Sequence, residues 1–244
     1  MTILHFVNGV PRIAAAVESC QAITSLVGQY CSLEPLDAVK HCNDLYTACA
    51  SAPDGRDWTY LTEERPATLE AFRTWLTKRA EEAHWVIFTI FCARRNRPVG
   101  LASHMRIDTV NGSLALGGLT WSPLMKRTIV GTEALYLLLK NAFVLGYRRL
   151  EWKCDALNSA SRKAAERIGF RYEGTFRQMM VRKGRSRDTQ WFSILDGEWP
   201  VIDEAISHWL AKDNFDEQGQ QNQRLSTLLR PTKMVDGGVD RAAV

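Results

Sequence analysis

Residues with anion-binding chemistry precede a predicted helix in the middle of the chain. Lys126 and Arg127 carry positive charges, and Thr128 adds a hydroxyl. A helical apolar period begins at Gly131. The first N–H groups of a helix have no partner inside it, and the helix dipole favours negative charge there. This combination predicts an anion site, and phosphate is the expected anion.

A second polar cluster follows segment 149–155, where apolar and charged residues alternate as in a strand. Asn158 is a helix-capping type, and Ser159 and Ser161 place two hydroxyls beside it. A short helix is predicted from there to Gly169. The strand therefore points its carboxyl end at a hydroxyl-bearing turn.

The elements between these clusters predict a crossover. Segment 113–121 has the length and apolar content of a strand, and Pro123 ends it. The helix from Gly131 closes near Gly146, before the strand at 149–155. Strand, helix and strand of these lengths predict a right-handed parallel connection.

The remaining segments extend the same architecture. We predict a strand from Gly28 to Pro35, a helix capped by Asp37 with Val39 on its apolar side, and a helix capped by Thr68. Further predicted elements are a hairpin over 85–107, a hairpin turning at 183–185 and a closing helix over 200–212. The order predicts a mixed α/β single domain with a twisted, mostly antiparallel sheet and helices on both faces.

The chain ends are predicted to lie outside the main domain, 28–199. Residues 1–27 form an N-terminal extension, and 213–244 are rich in Gln, Gly and charge. That composition predicts a flexible tail, with docking of the short LSTLL segment at 225–229 as the alternative.

Composition excludes several classes of protein. Hydrophobic content of 45% and charged content of 24% are typical of a globular protein, and no apolar run indicates a signal peptide or membrane span. The six cysteines form no C-x-x-C pair and predict no metal site, but reduced thiols of a cytoplasmic protein. The pI is 8.8, but the sequence contains no basic stripe with interleaved aromatic residues, which is the pattern expected for nucleic-acid binding.

Three blocks of sequence resemble the GNAT acyltransferase superfamily, in its RimJ/RimL-like branch. They are KRTIVGTEA, DALNSASRKAAERIGF and FRYEGTFRQMMVRKGRSRDTQWFSILDGEW. The superfamily usually has Gln/Arg-x-x-Gly-x-Gly/Ala at the first block. Here Lys126 stands at the first position, Ile129 at the middle glycine and Gly131 at the last.

The resemblance implies an acyl-CoA site between two splayed strands. It implies a backbone N–H near Leu119 or Thr120 that faces the thioester oxygen, and Ser161 as the group that protonates the leaving thiolate. The full set predicted to hold acetyl-CoA is Leu119, Thr120, Trp121, Lys126, Arg127, Thr128, Val130, Gly131, Thr132, Asn158 and Ser161.

The acceptor side and the general base are less determined. Trp58 and Tyr60 lie in the loop predicted to cover the acceptor, although either aromatic could simply pack in the core. For the base, Glu173, Asp155, His104 and a water chain stay open.

The function predicted from this resemblance is acetyl transfer from acetyl-CoA to a primary amine, on a protein N-terminus or a small molecule. No metal is required, and a second copy of the chain is left open as a partner. The alternatives are a CoA-binding sensor or assembly protein without turnover, and an acyltransferase that uses a longer donor such as succinyl-CoA.

Overall fold

Eight strands form one sheet in the computed structural model, which describes residues 25–229. The strands are β1 Leu26–Val27, β2 Cys31–Pro35, β3 Trp85–Cys92, β4 Arg97–Asp108, β5 Ser113–Trp121, β6 Arg149–Asp155, β7 Arg171–Arg182 and β8 Arg185–Leu195. Their order is β1-β2-β3-β4-β5-β6-β8-β7. Every neighbouring pair is antiparallel except β5 and β6, which are parallel as the crossover predicts.

Six α-helices cover the two faces of the sheet within the described residues. They are α1 Ala38–Ala50, α2 Leu69–Ala80, α3 Ile129–Val144, α4 Ser159–Arg167, α5 Trp199–Leu210 and α6 Leu225–Leu228. Apolar residues of α3, α4 and α5 form one core cluster with the sheet. Apolar residues of α1 and α2 form a second cluster, which includes Ile87 of β3 and Leu101 of β4. The predicted α/β class with helices on both faces is confirmed.

The caps of α1 and α2 are those predicted. The Asp37 carboxylate accepts hydrogen bonds from the N–H groups of Val39 and Lys40, and the Thr68 hydroxyl accepts one from Ala71. The prediction that Val39 faces the core is wrong, because its side chain is 90% exposed. Helix α1 packs through Cys42, Leu45 and Cys49 instead.

The strand predicted from Gly28 to Pro35 begins only at Cys31, because residues 28–30 form a turn that joins it to the short β1. The N–H groups of Gln29, Tyr30 and Cys31 all donate to the carboxylate of Glu133 in α3, at 2.6 to 2.7 Å. A Cβ atom on Gly28 would lie 2.5 Å from the Glu133 carboxyl carbon. The carboxylate thus holds the backbone in a turn where apolar residues alone predicted one continuous strand.

Because Glu133 is buried, replacing it with glutamine should destabilise the fold. The amide presents one NH2 where a carboxylate oxygen accepted, so at least one buried N–H loses its partner, at a cost of about 2 kcal/mol. Urea unfolding of Glu133→Gln measures this loss. The control is Glu70→Gln, which alters an exposed helical glutamate. Equal stability of the two variants would contradict the assigned role.

His104 makes stability depend on pH. It is fully buried, its Nε2 lies 3.1 Å from the Leu138 carbonyl oxygen, and burial lowers its pKa from 6.5 to about 4. Between these values the unfolded chain binds the proton and the folded chain does not. Stability should therefore fall as pH drops from 6.5 towards 4, by up to about 3 kcal/mol.

Urea titrations of the wild type and of His104→Gln across this pH range test the prediction. Comparing the two removes the contribution of His41, whose pKa is also lowered by burial. The wild type should lose more free energy of unfolding than the variant on acidification. Parallel pH profiles would rule out His104 as the source.

The prediction of a flexible tail is wrong for residues 213–229. Leu225 of α6 is 1% exposed in the main core cluster, and Trp209 Nε1 donates to Gln221 Oε1 at 2.8 Å. The polar composition of residues 213–244 as a whole predicted a flexible tail, but the short apolar LSTLL segment within them packs in the core. Residues 1–24 and 230–244, which include most of the predicted extension and the end of the tail, lie outside the described range.

Candidate functional site

Strands β5 and β6 separate halfway along their length. Their ladder runs from Ser113 opposite Arg149 to Leu116 opposite Trp152 and then stops. Beyond it, β5 continues beside β4 to Trp121, and β6 continues beside β8 to Asp155. The edges that face each other past this point have no strand partner, so a groove opens between them.

A β-bulge sits in β5 where the strands separate. Ser103 pairs with Gly117 and Leu101 with Thr120, so Gly118 and Leu119 lie opposite the single residue between them in β4. Gly118 has φ of +60°, and a Cβ there would lie 2.8 Å from the Ser103 hydroxyl oxygen. Glycine is therefore required, and the bulge turns the Leu119 region out of the regular ladder.

The N-terminus of α3 is left without a side-chain cap. Thr128 holds the N-cap position, but its hydroxyl donates to the Met125 carbonyl at 2.8 Å instead of capping. The helix begins at Ile129, two residues before the predicted start at Gly131. The first-turn N–H groups of Ile129, Val130 and Gly131 are thus available to an anion.

Close packing explains the glycine in this first turn. A Cβ on Gly131 would lie 3.2 Å from both the Met125 carbonyl oxygen and the ring of Trp121. Trp121, predicted to hold the cofactor, therefore also packs against the helix start.

The two predicted cations beside this helix end differ in whether a carboxylate lies near them. Arg127 is exposed, has φ of +59°, and has no carboxylate partner in the described part of the chain. Lys126 Nζ lies 3.8 Å from Asp57 Oδ2 in the loop between α1 and α2. Arg127 is thus the cation free to meet a phosphate.

Thr132 is placed differently from the prediction. Its side chain is buried, and its hydroxyl oxygen accepts a hydrogen bond from Arg167 Nη1 at 2.9 Å. This contact brings Arg167 from α4 to the start of α3 as a third cation. Sequence analysis missed Arg167, because its position at the end of α4 indicated nothing beyond a solvated charge.

Ser161 lies at the carboxyl end of β6 with its hydroxyl oriented by neighbours. The indole N–H of Trp152 donates to its oxygen at 3.0 Å, and its own backbone N–H donates to Asn158 Oδ1 at 3.0 Å. The oxygen accepts from the indole, and the hydroxyl also forms a hydrogen bond with the Cys154 side chain, so a ligand would have to compete with that thiol for the hydroxyl proton. Asn158 acts here as the cap of α4.

The loop between α1 and α2 reaches this end of the sheet, but only one of its predicted aromatics is accessible. The Tyr60 hydroxyl donates to the Leu157 carbonyl at 3.0 Å, and the residue is 40% exposed. Trp58 is 1% exposed, and its ring centroid lies 4.9 Å from that of Trp75. Trp58 therefore packs in the second core cluster, behind the surface that Tyr60 occupies.

The structure separates the candidates for the general base. His104 packs on the α3 side of the sheet against Phe88, away from the face that the α1–α2 loop covers. Glu173 binds both terminal nitrogens of Arg149 at 2.6 and 2.7 Å, which holds its pKa below the usual range and makes it a weak base. Asp155 stands at the end of β6, where one oxygen accepts from Leu157 N–H.

Two further observations bear on the kind of site. No group of three His, Cys, Asp or Glu side chains within 25–229 could hold a metal ion. Over the same residues, no helix combines the length and hydropathy needed to cross a membrane.

Comparison with known proteins shows the family. Residues 32–171 match the model of the acetyltransferase (GNAT) domain. A crystal structure of a GCN5-related N-acetyltransferase from Brucella melitensis is 42% identical, with a TM-score of 0.82 over 91% of this chain and 98% of that one. A probable GNAT-family acetyltransferase from Chromobacterium violaceum is 37% identical, with a TM-score of 0.68 over 78% of this chain and 99% of that one.

More distant structures share the fold. RimL, a ribosomal L7/L12 alpha-N-protein acetyltransferase, is 21% identical, with a TM-score of 0.58 over 69% of this chain and 92% of that one. No curated protein matches the chain. The family model covers more than half of the sequence, so the chain belongs to the GNAT acetyltransferase family.

Proposed function

We propose that the protein transfers an acetyl group from acetyl-CoA to a primary amine by direct attack within a ternary complex. One observation carries this proposal. The β5–β6 ladder ends at Leu116 and Trp152, and the chain that leaves the splayed end of β5 runs directly into the uncapped start of α3. A single extended thioester could thus place its diphosphate at α3 and its acyl end between the strands.

Each part of acetyl-CoA would meet a different group. The diphosphate would accept hydrogen bonds from the first-turn N–H groups of α3, with Arg127 and Lys126 supplying positive charge. The thioester oxygen would face the backbone N–H at Leu119 or Thr120, beside the bulge. The sulfur would lie near the Ser161 hydroxyl, which would donate to it in place of the Cys154 thiol.

The bond changes follow from this placement. The neutral amine attacks the carbonyl carbon and forms the C–N bond, the C–S bond breaks, and the proton that the new amide nitrogen loses passes by way of the Ser161 hydroxyl to the thiolate. The amine must first lose a proton, and Asp155, directly or through water, is the carboxylate that supports this step best. Asp155 lies past the end of the β5–β6 ladder, whereas Glu173 is held by Arg149.

The acceptor would be a protein N-terminus or a small amine, and it would approach from the side of the α1–α2 loop. Tyr60 supports this side, because its hydroxyl bridges the loop to the turn that leads to Ser161. All five described cysteines are free and buried, which supports a reducing compartment such as the cytoplasm.

A CoA-release assay with acetyl-CoA and a panel of primary amines tests the function. We expect CoA release that depends on the amine, with one acetylated product per CoA by mass spectrometry. Parallel assays with succinyl-CoA identify the donor. Tight acetyl-CoA binding by calorimetry with no amine acetylated would favour a non-catalytic CoA sensor instead.

A further inference from the structure

One face of the sheet next to the splay carries several polar side chains, and the steps above use only Asp155 among them. In the register of β6 and β8, Lys153 lies directly opposite Trp191, and Asp155 lies opposite Thr189. Directly paired residues share a face, and so do alternate residues along a strand. We call the face that holds Ser103, Gly117, Lys153, Asp155, Thr189 and Trp191 the acceptor face.

Four buried hydrogen-bond donors on or beside the acceptor face have no partner among residues 25–229. They are Ser103 Oγ, Thr189 Oγ1, Trp191 Nε1 and Arg187 Nε. Indole and guanidinium nitrogens can only donate, and the two hydroxyls can donate as well. Buried polar groups are normally paired, so a run of unpaired donors indicates a ligand rich in acceptor oxygens.

The charges on this face are also incompletely balanced. Glu151 serves two cations, because Arg149 Nε lies 3.1 Å from one of its oxygens and Lys153 Nζ 2.9 Å from the other. The Arg187 guanidinium is 4.0 Å from Asp155, the limit of an ion pair.

Arg106 leaves one further positive charge uncompensated. Its guanidinium lies 5.8 Å from the centre of the Trp191 ring, and it pairs with no carboxylate in residues 25–229. Within residues 25–229, the ion pairs of Arg149, Lys153 and Arg187 use three carboxylates, Glu151, Glu173 and Asp155, and Arg106 is a fourth cation without one. Burial lowers the pKa of both Lys153 and Arg187, as expected where positive charge is under-compensated.

This cluster lies where an acceptor has to bind. Lys153 and Gly117 are the first residues of β6 and β5 past the end of their common ladder. An open groove lined by Phe176, Arg177 and Gln178 lies beside the cluster, because the Phe176 ring centroid is 5.1 Å from that of Trp191. A molecule in the groove would have its amine at the splay and its remainder against the cations.

We propose that the acceptor is a primary amine that carries a carboxylate close to the amine, and that Lys153, Arg187 and Arg106 bind this carboxylate. The inference rests on the proposed acetyl transfer and specifies its substrate class. A carboxylate supplies acceptor oxygens to the unpaired donors and negative charge to the excess cations. The carboxylate could belong to an acidic N-terminal peptide or to a small amino acid, and a cationic amine would be repelled.

The test is steady-state acetylation of matched acceptors. One arm compares peptides that begin Ser-Asp-Glu and Ser-Lys-Lys, and the other compares free aspartate with its diamide. In at least one arm the acidic member should have a KM lower by about tenfold or more, the effect of one charge-assisted hydrogen bond. Preference in the first arm identifies a peptide, and preference in the second identifies a small amino acid.

Variants connect this preference to the cluster. Lys153→Met and the exposed Arg106→Gln should each raise the KM for the preferred acidic acceptor by about tenfold without changing the KM for acetyl-CoA. Lys78→Met, at an exposed lysine of α2, is the matched control and should change neither. Arg106→Gln keeps the test valid if Lys153→Met fails to fold.

The contradicting outcomes are distinct. If amines are acetylated but acidic and basic acceptors have equal KM values, or if the basic acceptors are preferred, this inference is wrong and the proposed function stands. If no amine is acetylated by a protein that binds acetyl-CoA, the proposed function is wrong, and the inference with it.

Discussion

Replacing Arg127 with glutamate is expected to raise the KM for acetyl-CoA by on the order of several hundredfold. The change removes a charge-assisted hydrogen bond of about 1.5–3 kcal/mol and adds repulsion of about 1 kcal/mol at contact distance in water. Together these amount to about 2.5–4 kcal/mol, or about 60- to 700-fold at 1.4 kcal/mol for each factor of ten. Arg127 is exposed and has no carboxylate partner in the described residues, so folding should be little affected.

Two controls separate the phosphate contact from general charge effects. Arg127→Gln removes the attraction without adding repulsion and should raise the KM less. Arg73→Glu reverses an exposed charge on α2 whose only hydrogen bond is to Asn43 at 3.5 Å, and it should leave the KM unchanged. If acetyl-CoA saturates Arg127→Glu with a normal KM, the phosphate does not bind at the N-terminus of α3.

Replacing Ser161 with alanine is expected to lower kcat by on the order of 10²- to 10³-fold, within the range typical of general acid catalysis. The acetyl-CoA KM should change little, because the serine hydroxyl is proposed to act on the leaving sulfur and not on the phosphates. Ser159→Ala is the matched control, since Ser159 is exposed in the same turn. That variant should retain wild-type kcat.

A leaving-group series distinguishes protonation of the sulfur from a merely structural role of Ser161. Its oxygen also accepts the Trp152 indole N–H, so the alanine variant loses that contact too. Acetyl thioesters with a more acidic thiol need less help to leave, so the deficit of Ser161→Ala should shrink with them. A deficit that is the same for every thiol would assign Ser161 to positioning alone.

Local periodicity predicted most of the sheet and helices, because one buried face imposes a period of 2 on strands and 3.6 on helices. The alternation in β6 correctly placed Leu150, Trp152 and Cys154 in the core. It could not predict which residues of other strands oppose Lys153 and Asp155, because that depends on the pairing of β6 with β8. The unpaired donors of the acceptor face follow from that pairing.

Contacts distant in the sequence explain the remaining differences. The turn at 28–30 depends on Glu133, about a hundred residues away, and Arg167 reaches the first turns of α3 only through its hydrogen bond to Thr132, 35 residues away. The local sequence around the Gly117-Gly118 pair does not predict a bulge, because a bulge depends on how β5 pairs with β4. The structure shows that Gly118 forms the bulge next to the splay.

The most direct test of the account is a crystal structure of the protein with a non-hydrolysable acetyl-CoA analogue. We expect the diphosphate within hydrogen-bond distance of the N–H groups of Ile129, Val130 and Gly131, and the sulfur position between β5 and β6 beside the Ser161 hydroxyl. A diphosphate bound elsewhere, or a closed space between the two strands, would contradict the account.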